Sequence, residues 1–261
     1  MILDSHCHVW PDHIAPQILA TRPAGLDPMF DGTVSGLLRT MDDAGIDRVS
    51  ALGVAGVARN VHRTNAFIGS LDRSRFFPFG TVHPDLPVEE NIASLVDHGI
   101  VGVKLHPLFQ ELDLGSAQIV EIAHGLAEHG IPVITHAGAG GTPEQTERGH
   151  PRKVRALSEA VPGLVIMACH YGGYHLLDEA EDTLVGTGVI LETSWPPTMA
   201  DLDKDRIRQI VDRHGADRFV FGSDWPMADP GREIAAVRAL GLTPEQEAEV
   251  LGGTLARVLG V

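Results

Sequence analysis

The sequence predicts one α/β domain of the (β/α)8 kind, a TIM barrel, and three observations carry that reading. Short apolar runs rich in β-branched residues alternate with amphipathic helical patterns eight times along the chain, the rhythm of a parallel barrel. Glycines recur between the end of a helical pattern and the next run, where a left-handed helix cap belongs. The turn after the first run carries histidines, whereas an open doubly wound sheet favours a glycine-rich turn there. A chain of 261 residues suits one such barrel, and no linker or low-complexity tract divides residues 1–261.

The first run is Ile2-Leu3-Asp4-Ser5-His6-Cys7-His8. Residues 10–31 form the longest connection, in which Pro11, Pro16, Pro23 and Pro28 oppose helix while Trp10, Met29 and Phe30 add apolar surface. A loop of that length on a barrel rim reads as a lid. Val34, Leu37, Leu38 and Met41 then share one helical face before Gly45 and the second run at 48–53. The third run is 76–82; Ile92, Leu95 and Val96 mark the next helix, Gly99 its end, and 101–106 the fourth run. Ile119, Ile122 and Leu126 lead through Gly130 to the fifth run at 132–136.

Residues 138–149 follow as a glycine-rich rim loop expected to be mobile. Within it Thr142-Pro143-Glu144-Gln145 reads as N-cap, proline at N1 and glutamine at N3, a capping box. Runs at 164–170 and 188–193 come next; Ile207, Ile210 and Val211 form a helix face, Gly215 ends it, and 218–222 is the eighth run. Thr243-Pro244-Glu245-Gln246 repeats the capping signature, and helices at 244–251 and 254–259 are expected to close the outer wall.

A formal net charge of −15 with no dense Lys/Arg run argues against nucleic acid and anionic membranes as partners. No apolar run reaches the length of a membrane span, and no secretory signal opens the chain, so the expected location is cytoplasmic. Cys7 and Cys169 make no disulfide framework. The expected partner is a small-molecule substrate; a homodimer is the base-rate expectation for the assembly.

Polar residues collect where the runs end. Run one ends at His6 and His8, run four at Lys104 and His106, run five at His136, run six at His170, and run eight enters Gly222-Ser223-Asp224-Trp225-Pro226. The C-terminal ends of barrel strands share one rim, and that rim carries the active site. Alone, His6-Cys7-His8 is as well read as two polar residues at a strand end. With the others it reads as a divalent metal site: residues i and i+2 of a strand face the same way, and His6, His8, His136 and Asp224 supply up to four ligands of the type zinc takes. Asp224 is placed to be ligand and proton acceptor together, and His170 to orient substrate or exchange protons.

These motifs, in this order, resemble the amidohydrolase superfamily. They are most similar to the amidohydrolase-related branch that contains aminocarboxymuconate semialdehyde decarboxylase, γ-resorcylate decarboxylase and several lactonases; Val101-Gly102-Val103-Lys104-Leu105-His106-Pro107 resembles a segment common there. The resemblance implies a metal-dependent barrel, usually with zinc, one ion favoured over two. It also implies ligands at His6, His8, His136 and Asp224, with His170 as the catalytic or second-metal histidine. Binuclear relatives carry a carboxylated lysine at the end of strand four, so Lys104 either bridges two ions or is an inward lysine that pairs with Asp224 or an anionic substrate. The expected reaction is hydrolysis of a small, carboxylated amide, ester or lactone; non-oxidative decarboxylation of an unsaturated or aromatic acid is the alternative. A barrel that binds without reacting fits poorly, since every ligand and acid/base position is filled.

Lys104, His106, Trp10, Arg59 and Trp195 are the candidate substrate contacts. Arg22 and Arg148 are further candidate carboxylate clamps, although each is equally read as a solvated surface residue. Glu192 is open between a carboxylate near the site and a salt bridge within the barrel, and His83 between pocket and plain loop. Cys7 and Cys169 alternate with ligand candidates, so both are expected to face the helix layer as packing.

Overall fold

The computed structural model describes residues 1–21 and 26–261; Arg22 and Pro23 lie outside the described residues. The strands are β1 (Leu3–His8), β2 (Arg48–Leu52), β3 (Phe76–Gly80), β4 (Gly102–Leu105), β5 (Val133–Thr135), β6 (Ile166–Ala168), β7 (Ile190–Glu192) and β8 (Phe219–Val220). They form one sheet in sequence order, β1 to β8, with helices between them. That is the (β/α)8 barrel fold. From β3 to β7 neighbouring strands pair in parallel, for example Lys104 opposite Ile134 and Ile134 opposite Met167. Each strand lies within a run predicted from the sequence.

The helices are α1 (Ala15–Ala20), α2 (Val34–Ala44), α3 (Val61–Gly69), α4 (Val88–Asp97), α5 (Ala117–Glu128), α6 (Pro143–Gly149), α7 (Pro151–Ala160), α8 (Leu177–Leu184), α9 (Lys204–His214), α10 (Pro230–Ala239), α11 (Pro244–Ala248) and α12 (Thr254–Leu259). A π-type turn, Glu249–Gly253, joins the last two. No described helix is long and apolar enough to cross a membrane.

Contacts divide the chain into two compact units. The first holds Met1–Ala51, Ser74–Phe76 and Glu192–Val261; the second holds Leu52–Arg73 and Phe77–Leu191. In the first, the predicted face of α2 buries Leu37 and Met41, and that of α9 buries Ile207, Ile210 and Val211. In the second, α4 buries Ile92 and Leu95, and α5 buries Ile119, Ile122 and Leu126. Burying a leucine or isoleucine side chain stabilises by about 1.5–3 kcal/mol, which is why these stripes fix the helix orientations.

Four local expectations change. The prolines after β1 do not exclude helix: Pro16 sits at the start of α1, where its missing N–H costs nothing. Residues 138–149 carry α6, and Gly138 N donates to Gly149 O at 2.6 Å, closing the segment on itself. Thr142 caps α6 through Gln145 N, but the Gln145 side chain takes Gly141 N at 2.9 Å instead of completing the box. Thr243 and Gln246 do complete theirs. Gly45 ends α2 in the left-handed conformation; Gly215 has positive φ but ψ of 124°, so it ends α9 without a left-handed cap.

Candidate active site

In the first unit β1 presents His6 and His8 on one face, as its period of two requires. Their Nε2 atoms lie 3.2 Å apart, and Asp224 Oδ1 lies 3.3 Å from the first and 3.8 Å from the second. A triangle with those sides has a circumscribed radius of about 2.0 Å, the length of a zinc–imidazole bond. Two imidazole nitrogens and a carboxylate oxygen thus converge closely enough for one cation to meet all three. A divalent ion fits these three donor atoms in chemistry and in size.

The tautomer that this needs is built in. Glu192 is fully buried, and its Oε2 lies 3.0 Å from His6 Nδ1. Its oxygens also accept from Ser194 N at 2.5 Å and Ser194 Oγ at 2.8 Å. A carboxylate there holds the proton on Nδ1 and leaves the Nε2 lone pair for a metal. Gly222 makes room for it, because a Cβ at that position would run into the Glu192 carboxylate. Glu192 is therefore an orienting carboxylate for His6, one of the readings left open by the sequence.

Asp224 has φ of 63°, a left-handed conformation that Asp tolerates better than most residues but that still costs free energy. Ser223 Oγ accepts Trp225 N at 3.1 Å, and Met227 N donates to Asp224 O at 2.8 Å, so the turn is bonded on both sides. The Trp10 ring stacks on His8 with centroids 6.0 Å apart and planes at 13°. Asp4, for which residue type and spacing suggest no role, is fully buried beside this turn. Burial lifts its carboxyl to about 6, against hydrogen bonds from Ser223 and His6 that pull it down.

In the second unit the β4–β5 register carries His106 alongside His136, with ring centroids 4.7 Å apart and planes at 11°. Phe109 covers the other side of this stack, 4.0 Å from the His106 ring. His136 Nδ1 lies 3.1 Å from His170 Nε2, while His136 Nε2 is buried with no protein partner. An orphaned buried nitrogen is costly unless a ligand takes it. Burial first, and the Lys104 charge second, push His136 down to about 3. It is neutral at any working pH, the form that ligates a metal.

Gln110 braces this stack. Its side chain accepts from His106 N at 2.8 Å and donates to Val82 O at 2.8 Å and Ala55 O at 3.3 Å. The sequence offered no signal for it beyond a polar residue four positions after His106.

A model of the amidohydrolase family matches residues 3–261. The chain belongs to the amidohydrolase family. No curated protein matches it. Among solved structures the amidohydrolase is similar to 5-carboxyvanillate decarboxylase from Sphingomonas paucimobilis, at 14% identity over 100% of this chain and 99% of that one, with a TM-score of 0.75. A dihydroxybenzoic acid decarboxylase from Polaromonas sp. JS666, solved with manganese and the inhibitor 2-nitroresorcinol, also has 14% identity and a TM-score of 0.75, over 99% and 96% of the two chains. A probable 2-pyrone-4,6-dicarboxylic acid hydrolase from Acinetobacter baumannii, solved with citric acid, has 16% identity over 100% and 99% and a TM-score of 0.69. At these identities the likeness shows a shared fold.

Several residues of the amidohydrolase stand differently from their sequence reading. β6 stops at Ala168, and His170 opens a turn with φ of 60° followed by Tyr171 at 54°. Cys169 itself is still extended, its N–H donating to Thr135 O at 2.9 Å, so alternation ends at His170 and no longer sets His170 opposite Cys169. Cys169 is not packed on the helix layer: Lys104 Nζ donates to its sulfur at 3.1 Å. Cys7 does behave as packing, a buried thiol 4.0 Å from Ser223 Oγ, whose ionisation burial and Asp4 suppress. Arg148 is held by Glu144 at 2.7 Å within α6, and Arg59 is exposed. His83 accepts Asp85 N at 3.2 Å in a loop turn. Trp195 is buried, in the same unit as Glu192.

Proposed function

We propose that this amidohydrolase is a metal-dependent hydrolase of a small, carboxylated amide, ester or lactone. The observation that carries the reading is the His6–His8–Asp224 triangle with Glu192 behind His6. His136 is proposed as a further ligand from its place in the family's motif order, supported by its orphaned Nε2. A divalent ion, zinc in this proposal and one per chain, supplies Lewis acidity at neutral pH. Asp224 takes the proton of the attacking water and passes it to the leaving group. His170 donates to the oxyanion that develops on the substrate carbonyl. Lys104, His106, Trp10 and Trp195 are the proposed substrate contacts, Lys104 for a carboxylate, with Arg59 a candidate from the rim; Lys104 bridging a second ion is the competing role.

Decarboxylation is a second reading, supported by decarboxylases among the similar folds. One experiment separates the two. The metal-loaded enzyme is incubated with a panel of lactones, cyclic amides and hydroxylated aromatic acids in 18O-water. Label in a product carboxylate supports hydrolysis; release of carbon dioxide from an unlabelled product overturns it in favour of the lyase.

A further inference from the structure

Asp4 lies where one carboxylate can govern two proposed ligands at once. Its Oδ1 accepts His6 N at 2.9 Å and Ser223 N at 3.1 Å, and its Oδ2 accepts Ser223 Oγ at 2.6 Å. The Ser223 hydroxyl in turn accepts Trp225 N at 3.1 Å. The contacts thus grip the backbone of His6 directly and grip Asp224 through the residue on each side of it. Asp224 is the residue at φ of 63°, a conformation that persists only where its surroundings over-determine it. With both oxygens occupied by these donors, Asp4 is not itself arranged as a ligand.

We propose that Asp4 is a positioning residue for the metal: a buried clamp, acting with Ser223, that holds His6 and the strained Asp224 at ligand spacing. The clamp rests on the metal reading of the triangle above. It differs from Glu192, which acts on the His6 ring, because Asp4 acts on main-chain position and reaches two ligands.

The test is titration of metal-free protein with Mn2+ alone, followed calorimetrically, with circular dichroism and thermal melting on the same samples. Asp4→Ala lowers Mn2+ affinity by about 10- to 100-fold, the usual loss when a supporting contact of a metal ligand is removed. Asp4→Asn keeps an oxygen for the two N–H donors and turns an amide toward the Ser223 hydroxyl, so it recovers most of the affinity. Ser223→Ala falls between them. Ser5→Ala is the structural control: its hydroxyl bonds Phe221 O at 2.8 Å from the same strand, and its loss lowers the melting temperature without moving the Mn2+ affinity.

Asp4→Ala within twofold of wild type overturns the clamp, as does Ser5→Ala losing as much affinity as Asp4→Ala. Should Asp4→Ala fail to fold, unchanged affinity in Ser223→Ala overturns it. Wild-type protein that takes up no Mn2+ refutes the metal reading, and the clamp with it.

Discussion

Replacing Glu192 with glutamine asks the structure its most pointed question. In the native protein the carboxylate receives three donors: His6 Nδ1 at 3.0 Å, Ser194 N at 2.5 Å and Ser194 Oγ at 2.8 Å. A glutamine can offer its oxygen to Ser194 N, but its amide then faces His6 Nδ1. Two donors cannot share that bond, so His6 moves its proton to Nε2, the nitrogen that the metal needs. Loss of such an outer carboxylate costs about 10- to 100-fold in metal affinity, or about 1.4–2.7 kcal/mol. The forced tautomer puts the expected loss at the upper end of that range. The assay is competition with a chelator of matched affinity for Zn2+, with melting temperature recorded on the metal-free protein. Wild-type affinity in Glu192→Gln would refute the claim that Glu192 sets the His6 tautomer.

The remaining expectations are shorter. In chelator-treated protein, His136 has a folded pKa of about 3 against 6.5 unfolded, so the unfolded state binds its proton first and stability falls as pH drops through that window. Asp4 runs the opposite way: raised to about 6 from 3.8, it favours the folded state on acidification and loses that contribution as pH rises from 3.8 to 6. Urea unfolding across pH 3–7 should therefore give a steeper acid limb in Asp4→Asn and a flatter one in His136→Asn. Glu233 is buried with Oε1 unpartnered, and burial raises its pKa; Glu233→Gln should stabilise at neutral pH by about 1 kcal/mol and lose that advantage as wild type protonates at lower pH. Arg148 is engaged by Glu144, so Arg148→Ala should leave KM within about twofold, an exposed pair being worth little.

The fold was legible because its signals are periodic and local. Eight runs and their intervening stripes recur at fixed places, and the glycines before the runs mark helix ends that only a residue free of Cβ occupies cheaply. Strand ends were less legible. Run six is apolar up to His170 in sequence, but the chain leaves strand geometry at His170 with φ of 60°, so alternation from His170 does not place Cys169. No propensity announces a positive φ at a histidine. The ligand candidates of the first unit were legible because their side chains are rare types at strand ends. Their supports were less so: Glu192 reaches His6 across 186 positions and Asp4 reaches Ser223 across 219. One clue to Asp4 did lie in the sequence, since a carboxylate inside a buried barrel strand must be hydrogen-bonded or cost several kcal/mol for burial.

His6, His8 and Asp224 are proposed to hold a catalytic divalent ion. Elemental analysis of protein purified without chelator, wild type beside a His6→Asn/His8→Asn double variant, tests this most directly. The expected result is about one equivalent of zinc or manganese per wild-type chain and less than about a tenth of that in a folded double variant. Equal metal content in the two proteins would contradict it.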